Sequence, residues 1–122
     1  MITRFRSAAI WSEDINNLLP FYRDTVGLPV ALESPGFVVL GPDANAPALA
    51  LGTHSEVHGK NSDPARHMVG FDTDDIQGDA ARLKAAGVEF VEEPTKFDGG
   101  WITTFKDPEG NYVQLLQLDS AT

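Results

Sequence analysis

The sequence predicts an α+β fold of two βαβββ modules whose sheets join around a shared concave face. Three observations carry that prediction. Runs of β-branched and aromatic residues, bounded by Gly, Pro, Asn or Asp, combine with two segments of helical apolar period in the order strand, helix, three strands, twice over. Matching pairs stand at matching places: Asp14-Ile15 and Asp75-Ile76 open the helices, and Gly27-Leu28 and Gly87-Val88 follow them. Each module's last hairpin turns through a similar pentapeptide, Gly41-Pro42-Asp43-Ala44-Asn45 and Asp107-Pro108-Glu109-Gly110-Asn111. A repeat of roughly 60 residues occurring twice has too few units for a solenoid. Two sheets covered by helices on one side only should instead share a concave face.

The elements follow in chain order. The first strand spans Arg4–Ile10. Ile15, Leu18, Leu19, Tyr22 and Val26 then recur at helical spacing and make one apolar face. Ser12 is placed to cap this helix and Gly27 to end it in a left-handed conformation. Pro20 removes a backbone hydrogen bond, so a kink or a break into two pieces is expected there. Val30–Glu33, Phe37–Leu40 and Ala48–Gly52 complete the first module, and Thr53 to Ala65 reads as a loop. Arg66–Asp72 is the fifth strand. The second helix runs from about Asp74 to Ala86, with Thr73 as cap, Gly87 as stop and Ile76, Ala80, Leu83 and Ala86 as its buried stripe. Gly78 weakens it by about 1 kcal/mol relative to alanine, so packing has to hold it. Val88–Val91, Trp101–Lys106 and Asn111–Leu118 are the last three strands. Glu92 and Glu93 precede Pro94 in a connection, and Asp98-Gly99-Gly100 reads as the turn entering the strand at Trp101.

Length and charge restrict the function. A chain of 122 residues and 13.2 kDa makes one domain, 1–122, with module one at about 1–60, module two at about 61–122 and a linking loop near 53–65. The net charge of −9 argues against nucleic acid and anionic membrane surfaces, whose attraction is for cationic groups. With no cysteine, disulfides, thiolate metal sites and cysteine nucleophiles are excluded. The start of the chain lacks the apolar stretch of a signal peptide, and no apolar run is long enough to span a bilayer. A cytoplasmic location is expected.

The βαβββ duplication, the segment from Asp14-Ile15 through Phe21-Tyr22-Arg23-Asp24 to Gly27-Leu28, and the Asp107–Asn111 turn followed by Gln114 together resemble the vicinal oxygen chelate superfamily. That group contains glyoxalase I, bleomycin-resistance proteins and extradiol dioxygenases. The resemblance covers nearly the whole chain and implies two βαβββ modules forming a cupped mixed sheet within a homodimer. It also implies metal-ligand positions at Ser7, near Ala50, at His67 and at Gln114. His67 alone is a good transition-metal ligand, because zinc, nickel or iron(II) normally takes three or four imidazole, carboxylate or thiolate groups. The metal centre thus reads as dismantled, with His67 and Gln114 as its weak remaining candidates.

Strand alternation then assigns an inner face. If Ser7, His67 and Gln114 point inward, so do Phe5, Ala9, Trp11, Val69, Phe71, Tyr112 and Leu116. Ala48 lines the fourth strand, and Trp101, Thr103 and Phe105 the seventh. Ala8, Ile10, Met68, Gly70, Val113 and Leu115 fall on the opposite faces, under the helices. Phe5, Ser7, Trp11, His67, Phe71, Trp101, Thr103, Tyr112 and Gln114 are therefore the candidate ligand-binding residues. Aromatic and apolar surface with a few polar points is the usual make-up of a small-molecule pocket. His67 reads as a neutral imidazole bonded toward Gln114 or Ser7, with acid–base catalysis and metal ligation as its other roles. His54 and His58 read as exposed loop residues, and Glu92 and Glu93 as solvated surface. Asp72, Asp74, Asp75 and Asp79 complement the second helix dipole.

The function expected is a glyoxalase/bleomycin-resistance-like protein with a degenerate metal site that needs no cofactor and binds a small aromatic or cationic molecule. The alternative is a lyase, isomerase or dioxygenase with a divalent metal on His67 and Gln114. No confident catalytic residue emerges.

Overall fold

In each half of the chain the first strand pairs in parallel with the last, and the two middle strands follow antiparallel. A computed structural model describes residues 1, 3, 5–43 and 46–119. The chain divides into two units, Met1–Gly59 and Lys60–Thr122. The first holds β1 (Ser7–Ser12), β2 (Val30–Ser34), β3 (Phe37–Leu40) and β4 (Ala48–Thr53) in the sheet order β1-β4-β3-β2. The second holds β5 (Val69–Asp72), β6 (Phe90–Phe97), β7 (Gly100–Lys106) and β8 (Tyr112–Leu118) in the order β5-β8-β7-β6. Two four-stranded mixed sheets with few helices are the fold class the repeat predicted. Arg4, at the start of the first expected strand, and Ala44-Asn45, in the first hairpin turn, lie outside the described residues.

The duplication extends to the way each helix begins. In the first unit the Ser12 hydroxyl accepts from the Asp14 N–H at 3.0 Å, and the Asp14 carboxylate accepts from the Asn16 N–H at 2.9 Å. In the second, Thr73 accepts from the Asp75 N–H at 3.0 Å and Asp75 from the Gly78 N–H at 3.0 Å. The caps are thus Asp14 and Asp75, not Ser12 and Thr73; each hydroxyl instead shapes the turn that presents its aspartate. The next orphan donor is satisfied from the same place in both units. The Ile15 N–H donates to Thr53 Oγ1 at 3.2 Å, and the Ile76 N–H to Gln117 Oε1 at 2.8 Å. Both acceptors stand on the last strand of their module, so parallel pairing of first and last strands brings each acceptor to its helix.

The first helical segment does break in two, as Pro20 required. A 3₁₀ turn at Ile15–Asn17 is followed by a wide, π-type segment at Phe21–Val26, with Pro20 in the entry position where its missing N–H costs nothing. Gly27 and Gly87, at φ 94° and 89°, end the two helical segments where predicted. The second helix, α1 (Ile76–Ala85), is too short to persist alone. Burial of Ile76, Ala80 and Leu83 holds it against its sheet, while Ala86, expected in that stripe, is exposed. Each large apolar side chain so buried contributes about 2 kcal/mol.

Three boundaries differ from expectation. Phe5 and His67 precede β1 and β5 instead of lying within them, and a 3₁₀ turn at Pro64–Arg66 leads into His67. Glu92, Glu93 and Pro94 belong to β6, whose register shifts between Glu92 and Thr95. Because β6 is an edge strand, Pro94 can sit there without breaking a ladder. The Asp107 turn is as predicted: the Gly110 N–H donates to Asp107 O at 3.0 Å. The buried Asp107 carboxylate also accepts from the Glu109 and Asn111 N–H groups at 2.8 and 2.9 Å. Asn61 is tied to this turn, its N–H donating to Glu109 O and its side chain to Asn111 Oδ1.

Gly78 has a role that propensity alone does not show. A Cβ there would stand 2.2 Å from Asp75 Oδ2, so the glycine makes room for the capping carboxylate. Asp75→Ala is expected to destabilise the protein by about 1 kcal/mol. Gly78→Ala should be near neutral alone, the lost cap offsetting the propensity gain, yet stabilise by about 1 kcal/mol in the Asp75→Ala background. Urea midpoints of the four-protein cycle check this; an equal Gly78→Ala effect in both backgrounds contradicts it.

Candidate functional site

Strand register assigns the faces in each unit, because directly paired residues share one. In the first unit Ala8, Ile10, Leu49, Leu51, Val38 and Leu40 lie on the helix side. Ser7, Ala9 and Trp11 lie on the other, with Ala48, Ala50, Gly52, Phe37 and Val39. No helix of this unit covers that second face. At its centre Trp11, Gly52 and Phe37 are register partners across β1, β4 and β3. The indole lies down over Gly52, where a Cβ would meet Trp11 Cζ3 at 2.2 Å. Its centroid is 6.3 Å from the Phe37 ring and 5.7 Å from the His54 imidazole, the latter edge-on at 73°. Trp11 keeps 45% of its surface exposed, and Phe5, just before β1, keeps 67%.

The second unit separates the predicted residues. Tyr112 and Gln114 share the open face with Gly70, Thr104, Ile102 and Leu116. Gln114 Nε2 donates to Thr104 Oγ1 at 3.3 Å, which leaves the amide oxygen unengaged among the described residues. Phe71, Trp101 and Thr103 are on the helix side, paired with Leu115, Gln117 and again Leu115, and Val69 and Phe105 are there too. Thr103 is fully buried, its hydroxyl donating to Glu92 O at 2.7 Å across the bulge in β6. Trp101 is half-buried beneath Lys96, whose ammonium lies 5.7 Å from the ring centroid. The His67 imidazole is exposed and, among the described residues of its unit, does not bond to Gln114.

The corrections on β5 have one cause, its phase; on β7 the expected phase was likewise off by one residue. Ser7 stands eight residues before Ile15, and the residue eight before Ile76 is Met68, not His67. Anchoring the alternation on His67 moved Val69 and Phe71 to the wrong side, since a one-residue slip exchanges the two faces of a strand. Gly52 was not among the expected site residues and His54 was read as an exposed loop residue, although continuing the alternation of β4 from Ala48 reaches both. His54 is not a fully solvated loop residue but half-buried against Trp11. His58 is exposed, with Nδ1 3.0 Å from Glu13 Oε1.

On the helix side of the first unit, a cleft of about 550 Å³ is lined by Ile15, Leu19 and Val38, with Asp14, Glu33 and Thr53 at its polar edge. Shifted ionisations occur at exposed ion pairs. Hydrogen bonding from Arg23 lowers the Asp24 pKa, and hydrogen bonding from Lys106 lowers that of Glu89. At the positions where the resemblance implies metal ligands, the first unit offers Ser7 and Ala50 and the second His67 and Gln114. One imidazole, one hydroxyl and one amide do not fit a transition-metal centre. Among the described residues, no three His, Asp or Glu side chains come together to hold a metal ion.

Comparison with known proteins agrees with this architecture. The model of the Glyoxalase/Bleomycin resistance protein/Dioxygenase superfamily matches residues 4–115, and the chain belongs to that superfamily. The uncharacterised protein YetH of Bacillus subtilis (strain 168) is 30% identical over 124 residues, covering 96% of this chain and 100% of its own. Among solved structures, TnmS3, an antibiotic binding protein from Streptomyces sp. CB03234, is similar with a TM-score of 0.78 and 25% identity, covering 97% of this chain and 98% of that one. A superfamily member from Sphaerobacter thermophilus DSM 20745 is similar with a TM-score of 0.75 and 26% identity, over 95% and 98% of the two chains. No helix among the described residues is long and apolar enough to cross a membrane.

The packing of Trp11 on Gly52 is directly testable. Gly52→Ala should lift the indole off the sheet, at a cost of about 1–3 kcal/mol for the overpacked contact. Acrylamide quenching in a Trp101→Phe background should then rise. Unchanged quenching would mean that the ring does not rest on Gly52.

Proposed function

We propose that the protein is a small-molecule binding protein whose guest, a small aromatic compound, stacks on the open face of the first unit at Trp11. The observation that carries this reading is the indole itself, laid flat over a glycine between Phe37 and His54 with nearly half its surface exposed. A large aromatic left open costs solvation free energy in the free protein, and stacking a guest on it recovers that energy. Phe5 and Ser7 extend the same face or its approach. Tyr112 and Gln114 give the open face of the second unit similar character, an aromatic ring beside one amide. The likeness to an antibiotic binding protein over almost the whole chain supports binding of a small organic molecule. The donor chemistry at Ser7, Ala50, His67 and Gln114 supports binding without a resident metal. Homodimerisation, implied by the family resemblance, belongs to the same proposal.

Two measurements test it. Titration with small aromatic compounds should quench Trp11 emission in a Trp101→Phe background, and Trp11→Ala should weaken binding at least about tenfold. Affinity unaltered by Trp11→Ala would place the guest elsewhere. Light scattering should give about twice the 13.2 kDa chain mass; a monomer at micromolar concentration would contradict the dimer.

A further inference from the structure

The platform around Trp11 also carries information about the polarity of its guest. His54 is fixed on three sides. Its own N–H donates to Ser12 O at 2.9 Å, its carbonyl accepts from the Val57 N–H at 3.1 Å, and its Nδ1 accepts from the Glu56 N–H at 3.0 Å. An imidazole nitrogen that accepts a hydrogen bond carries no proton, so in the neutral ring the proton is on Nε2. That Nε2–H has no partner among the described residues, and neither does the Trp11 indole N–H. The polar groups that the two rings offer are therefore both donors.

Charge points the same way. The chain has a net charge of −9, yet none of the β1–β4 residues registered on this face is Asp or Glu: they are Ser7, Ala9, Trp11, Ala48, Ala50, Gly52, Phe37, Val39, Leu32 and Ser34. Glu33, on β2, is registered to the helix side and lines the cleft there.

We infer that His54 is a specificity-determining residue of the Trp11 platform and selects a planar aromatic guest carrying an uncharged acceptor oxygen, such as a ring carbonyl, over an aromatic cation. This rests on the proposed binding role. It runs against the simpler expectation that an acidic protein takes a cationic guest, because no Asp or Glu is among the β1–β4 residues registered on the face that stacks. One hydrogen bond from a fixed donor is worth about fivefold in affinity.

The test uses three bicyclic probes of similar size, coumarin, naphthalene and N-methylquinolinium, titrated into the full chain carrying Trp101→Phe and read from Trp11 emission. Coumarin is expected to bind tightest. His54→Phe should reduce coumarin affinity about fivefold and leave naphthalene unchanged, whereas His54→Gln, which retains an N–H donor, should preserve most of the preference. If N-methylquinolinium binds tightest, or the coumarin preference survives His54→Phe, the inference fails while the binding role stands. If no probe perturbs Trp11 in any variant, the platform is not a binding site and both fail. Circular dichroism of each variant confirms folding, and the His54→Gln arm keeps the comparison decisive should His54→Phe unfold.

Discussion

Parallel pairing between the first and last strand of each module is the constraint on which the rest of this structure depends. It sets Ser12 opposite Thr53 in the first unit and brings Thr73 beside Leu116 and Gln117 in the second. The consequence is local and chemical: the first free N–H of each helical segment meets a side-chain oxygen from the closing strand. A helix start docked in this way can lie on only one side of its sheet. The opposite side is then left without helical cover, and the open face is a by-product of the way the helix is anchored.

The same register decides what the open face contains. On β1 and β4 it sends Ile10, Leu49 and Leu51 toward the helical segments and leaves small residues, Ala9, Ala48, Ala50 and Gly52, on the other side. Small side chains on a strand leave space, and Trp11 fills it by lying across Gly52. In the second unit the equivalent arrangement buries Val113, Leu115 and Phe105 under α1 and turns Tyr112 and Gln114 outward. Charge follows the division in the first unit, where Asp14 and Glu33 border the helix-side cleft and none of the β1–β4 residues registered on the open face is Asp or Glu.

Much of this was legible from residue order. The duplication, the break at Pro20, the stops at Gly27 and Gly87 and the Asp107 turn each follow from short-range rules of backbone geometry, which need no knowledge of neighbours. The capping residues were misplaced by two positions because a hydroxyl and a carboxylate, Ser12 and Asp14 or Thr73 and Asp75, both satisfy the cap preference. Only the hydrogen bonds show that they act in series. The proposed binding face was half legible. Ser7, Trp11, Tyr112 and Gln114 lie on open faces as expected, whereas Phe71, Trp101 and Thr103, expected there too, lie on the helix side, since period-two alternation has a phase that a single strand does not reveal.

The sequence by itself therefore determined the number and order of elements, the repeat and the residue types available to a binding face, because these depend on contacts within a few residues along the chain. Tertiary structure alone decided which side of β5 and β7 faces the helix and that His54 stands against Trp11. Those facts depend on register between strands far apart in the chain, where a shift of one residue exchanges core for surface at no local cost in propensity.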